Sequence, residues 1–118
     1  MITFKDFQNK LNVPTWIKLL LNEAIDKINN NKELEAYKII KKCINLLKIE
    51  LKEDQFNSDL IFLIGFCYNL IGEVPNSLEF INESIEVDKD NLIYLITRAE
   101  LELENGLFND AINDFSEY

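Results

Sequence analysis

Histidine is absent from all 118 positions, and with it the commonest general base and the commonest metal ligand. Cysteine is nearly absent. Cys43 and Cys67 stand far apart, without CxxC spacing, so neither a zinc site nor an activated thiol has support. Three glycines and two prolines are too few for the turns of an all-β chain, and they form no phosphate-cradling loop. The most apolar run, Leu60 to Ile71, falls short of the roughly 18 residues that a membrane span requires. Basic residues are scarce in the second half, where Lys89 and Arg98 face thirteen acids for a net of −11. A phosphate backbone would be repelled there, which argues against a nucleic-acid partner.

The remaining acids do not assemble a site. Glu100, Glu102 and Glu104 alternate along a helix and spread around it, while Glu79, Glu83 and Glu86 share a face in the manner of a solvated stripe. Asp88-Lys89-Asp90-Asn91 begins like a calcium loop but lacks its glycine and closing glutamate. No catalytic residue, metal or cofactor is therefore expected, and the chain does not read as an enzyme. Met1-Ile2-Thr3-Phe4-Lys5-Asp6 has no basic region leading into an apolar core, so a cytoplasmic location with both thiols reduced and buried is expected.

What the chain does have is helical patterning, with 47% hydrophobic and 28% charged residues, as in an ordinary globular domain. Phe4, Phe7 and Leu11 recur at helical spacing within residues 3–11, and Thr3 with Asp6 makes a weak cap. Asn12-Val13-Pro14 breaks that helix, and Pro14 opens the next, 14–30, which is apolar on more than one side and ends at Asn29-Asn30-Asn31. A helix over 32–51 puts Leu34, Tyr37, Ile40, Ile44 and Leu47 on one face and most of the lysines on the other. Helices are expected at 58–71, 75–87, 92–105 and 108–118, with Asn57-Ser58-Asp59 and Asp90-Asn91 as caps and Gly72 and Gly106 as stops. Gly65, costly within a helix, implies close approach of Ser77 and Ile81.

The second half repeats itself at an offset of 34, which puts Gly65 on Ala99, Gly72 on Gly106, Ser77 on Ala111, Leu78 on Ile112 and Ile81 on Phe115. At an offset of 41, Ala24 falls on Gly65, Asn31 on Gly72, Ala36 on Ser77 and Cys43 on Ser84, and two extra turns of the second helix absorb the seven added residues. The run Arg98-Ala99, Gly106-Leu107-Phe108, Ala111-Ile112, Asp114-Phe115 resembles the tetratricopeptide repeat (TPR) family. So does Gly65, Tyr68, Gly72, Ser77, Ser84 with its closing Val87 to Asn91.

The resemblance implies an all-α fold, with antiparallel helical hairpins stacked as a short right-handed superhelix. About three repeats would form a single domain: an N-terminal helix at 1–13, a divergent repeat at 14–57, a second at 58–91, and a third at 92–118 that ends early. It also implies a concave groove that binds a peptide or amphipathic helix of a partner protein. Carried onto this chain, the groove positions are Leu21, Ile25 and Ile28, then Phe62, Phe66 and Asn69, then Ile96, Glu100 and Leu103. Phe62 and Phe66 are thus expected on the groove and outside the core. The places that clamp acidic chaperone tails in one TPR subgroup hold Leu21, Ile25, Leu63, Ile93 and Thr97, which disfavours that ligand; an apolar groove with an acidic rim favours an amphipathic segment, with basic character as an option. Phe4, Phe7 and Leu11 compete for the same groove, and the sequence leaves open whether they fill it. A self-association module and a small chaperone for secreted hydrophobic proteins remain as alternatives. A monomer or weak homodimer is expected.

Overall fold

The computed structural model describes residues 2–106. Its regular structure is entirely helical over those residues: α1 (Phe4–Phe7) continued by a 3-10 turn (Gln8–Lys10), α2 (Thr15–Asn29), α3 (Glu33–Glu53), α4 (Ser58–Leu70), α5 (Val74–Val87) and α6 (Leu92–Glu104). The all-α expectation holds. The helix expected over 108–118, with the pairings of Ala111, Ile112 and Phe115, lies outside the described residues.

Local chemistry sets the helix ends. Asn31 adopts φ 61°, the left-handed conformation that asparagine tolerates, and the Lys32 N–H reaches back to the Lys27 carbonyl at 2.8 Å to close α2. Asn57 caps α4 by accepting from the Asp59 and Leu60 N–H groups, and Asn91 caps α6 by accepting from Tyr94 N–H. Each cap is itself held, since Asn57 donates to Asp54 and Asn91 to Asp88, both at 3.0 Å. Gly72 and Gly106 close the two helices at the same φ of 78°. α4 and α6 therefore start and stop at matching positions of the sequence repeat, Asn57 with Asn91 and Gly72 with Gly106. Pro14 departs from expectation: at ψ 136° it stands just outside α2, as its N-cap.

Each helix from α2 onward packs on the next in sequence. The tightest crossing is α4 on α5. A Cβ added at Gly65 would lie 2.8 Å from Ile81 Cγ1 and 2.9 Å from the Ser77 carbonyl oxygen, so only glycine fits. The Ser77 hydroxyl donates to the Gly65 carbonyl at 2.7 Å, so the approach is also hydrogen-bonded. Lys48 fastens α3 to this pair, donating to the Tyr68 phenol at 2.8 Å with its ammonium near the Tyr68 and Phe80 rings.

Two faces differ from the sequence reading. The buried stripe of α3 is Ala36, Ile40, Cys43, Ile44 and Leu47, which leaves Leu34 and Tyr37 exposed at the start of the helix. α2, which packs on α3, buries Ile17, Leu21 and Ala24, while Trp16 and Leu19 face solvent. Breadth of apolar sequence did not mean full cover.

Both thiols are buried and free, as expected. Burial pushes Cys43 up from 9.0 to about 11 and Cys67 well above 9.0, because a thiolate loses hydration there. A folded-state value above the unfolded one gives stability that is complete below pH 9.0 and lost as pH rises toward 11. We expect the urea midpoint to fall across that window, with Cys43 contributing on the order of 2 kcal/mol. Cys43→Ala should show a shallower fall than the parent, and an unchanged slope would dissociate the loss from this thiol.

Candidate partner-binding groove

The groove expected on α2, α4 and α6 already has an occupant in part. Thr3 N–H and hydroxyl donate to Asp6 Oδ2 at 2.7 and 2.9 Å, which fixes the first turn of α1 and holds the Asp6 carboxyl below its usual range. Phe4, Phe7 and Leu11 then turn inward and are buried. Phe7 meets Phe62 at 5.7 Å and Phe66 at 5.5 Å between ring centroids, both edge-on, and Phe4 lies 5.9 Å from Phe66. Phe62 stacks on Tyr94 at 4.6 Å on its other side.

Polar contacts tie the same segment at both ends. Ile2 N–H donates to Glu100 Oε1 at 3.1 Å on α6, and Gln8 accepts from the Asn22 side chain at 2.7 Å on α2. Asn12 N–H donates to Asp59 Oδ2 at 2.7 Å, and its carbonyl accepts from Asn57 at 2.8 Å. Asp59 also accepts from the Tyr94 phenol, whose oxygen in turn accepts from the Ser58 hydroxyl. Burial, together with the adjoining Asp59 carboxylate, pushes the Tyr94 phenol far above its ordinary 10.0. Asp59 thus joins the N-terminal segment, α4 and α6 at one point.

Beyond Phe4 the groove stays open as a cavity of about 380 Å³. α2 contributes Ile25, Ile28 and Asn29; α4 contributes Phe66, Asn69 and Leu70; α6 contributes Thr97, Glu100, Leu101 and Glu104. Ile2, Thr3 and Phe4 close one end. Thr97 is 7% exposed, and its hydroxyl oxygen is buried without a hydrogen-bond partner among the described residues. A second cavity of about 400 Å³ lies past Ile28 and Leu70, bounded by Glu33, Leu34 and Tyr37.

The nine expected groove residues divide accordingly. Ile25, Ile28, Phe66, Asn69 and Glu100 line the open cavity. Leu21 and Phe62 are 0% exposed, so the expectation that Phe62 lies outside the core is corrected: Phe7 and Tyr94 sandwich it. Ile96 is half-buried outside the cavity wall, and Leu103 is exposed. On α6 the facing residues are Thr97, Glu100, Leu101 and Glu104, a face rotated by one position from the one expected. Their i, i+3, i+4, i+7 spacing was readable, but its direction was not.

Among the described residues no three acidic or thiol side chains gather as metal ligands, and no helix is long and apolar enough to cross a membrane. No protein-family model and no curated protein matches this chain.

Proposed function

We propose that this chain is a protein–protein interaction module of TPR-like build, which takes an apolar segment of a partner protein in the open part of its concave groove. The observation that carries the reading is the convergence of α2, α4 and α6, the leading helix of each sequence unit, on one cavity. The recurrence of caps and left-handed stops at matching positions of α4 and α6 supports the repeat, as does the Gly65–Ser77 crossing. The cavity has apolar walls and a few converging polar groups, and its volume sits at the lower end of the range of ligand sites, about 300–1,000 Å³. That suits one or two side chains of a docked segment.

The partner binds beside residues 2–11. Displacing them would expose Phe4, Phe7 and Leu11, each worth about 1.5–3 kcal/mol of burial. Selection on the protein from a displayed random-peptide library should enrich short apolar segments. Asn69→Arg, which puts a long side chain into the cavity from its wall, should abolish their binding while the melting temperature holds. Undiminished binding to that variant would place the site elsewhere.

A further inference from the structure

We propose that the cavity between Phe4, Phe66 and Glu100 is a receptor for one arginine side chain, carried by the apolar segment of the partner; this rests on the interaction reading above. Three independent features converge on that chemistry. The described wall carries two carboxylates, Glu100 and Glu104, and no lysine or arginine. It includes the half-buried ring of Phe66, backed by the buried Phe4 at 5.9 Å between centroids, and a guanidinium stacks on an aromatic face. Finally, the buried Thr97 hydroxyl has no hydrogen-bond partner among the described residues, an arrangement that folding alone disfavours.

A neutral apolar ligand would satisfy the ring but leave Thr97 unpaired and desolvate Glu100. An anion would be repelled by both carboxylates. An arginine brings an aliphatic stem for Ile25, Ile28 and Leu101, and a planar fork of five donors for Thr97, Asn69 and the acids. Glu100 is half-buried and already accepts from Ile2 N–H through Oε1, which fixes its carboxylate beside the cavity before any ligand arrives. The N-terminal segment therefore has a positive role in recognition: it backs Phe66 and orients the acid.

The test is an amide-shift titration by NMR with a capped tripeptide, one arginine between two leucines, against its counterpart bearing citrulline, the neutral isostere. The arginine peptide should shift the signals of Asn69, Thr97 and Glu100 saturably and bind about tenfold more tightly than the citrulline form. Glu100→Gln keeps an acceptor for Ile2 N–H and should shrink that preference to about threefold or less. Thr97→Val should weaken the arginine peptide.

Equal binding of the two peptides overturns the arginine proposal and leaves the apolar-segment reading standing. If neither moves those signals, the proposal also falls. The broader reading falls with it only if library-selected segments leave the cavity signals unmoved too. Butylguanidinium alone binding as tightly as the peptide would overturn the assignment to a protein partner, since a free guanidine would then suffice.

Discussion

Phe62→Ala should lower the free energy of unfolding by about 3–5 kcal/mol, the range for truncating a buried phenylalanine. The ring is 0% exposed and held between Tyr94, stacked at 4.6 Å, and Phe7, edge-on at 5.7 Å. Its loss leaves a hole where α4, α6 and the N-terminal segment meet, and the Tyr94 phenol, bonded to Ser58 and Asp59, resists the shift that would fill it. Chemical denaturation followed by circular dichroism measures the cost. A loss below about 1 kcal/mol would mean that Phe62 behaves as a groove residue after all.

Phe7→Asp should be comparably damaging, for a different reason. Its carboxylate would sit among Phe4, Phe62 and Phe66, where nothing compensates the lost hydration. The segment can escape that penalty by undocking, so the measured cost is capped by the free energy that holds residues 2–11 in place. We expect about 3 kcal/mol or more, with the newly bared rings of Phe62 and Phe66 binding a hydrophobic dye. A cost under about 1 kcal/mol would identify the segment as detachable and extend the accessible groove to Phe62. Combining Phe7→Ala with Phe62→Ala should cost less than the sum of the two, because they share one contact.

These two residues mark the border of what the sequence disclosed. Helix starts and stops were legible because they are local events. Asn57 caps within three residues, Gly72 takes a conformation few others can, and the Gly65 crossing was signalled by a glycine with no other reason to be there. The cover on Phe62 was not legible. Periodicity shows that Phe4, Phe7 and Leu11 share a face but not what that face meets, and the deciding bond, Ile2 to Glu100, spans 98 residues. Leu101 and Glu104 were missed as groove residues through a one-position rotation of α6. One local signal was available and went unread: Asp54-Gln55-Phe56-Asn57 and Asp88-Lys89-Asp90-Asn91 carry the same capping pair at matching positions of the repeat.

That duplicated cap bears on how the chain acquires its shape. Each pair works within a four-residue stretch, so α4 and α6 can nucleate independently and without waiting for distant contacts. Short-range encoding of this kind goes with fast folding, because little chain entropy is lost before the first favourable contacts form. The clasp from Ile2 to Glu100 is the opposite case, a closure across nearly the whole described chain. Hydrogen exchange during refolding should therefore protect the amides of α4 and α6 first and those of residues 2–12 last, making the arginine receptor the final part of the molecule to be completed.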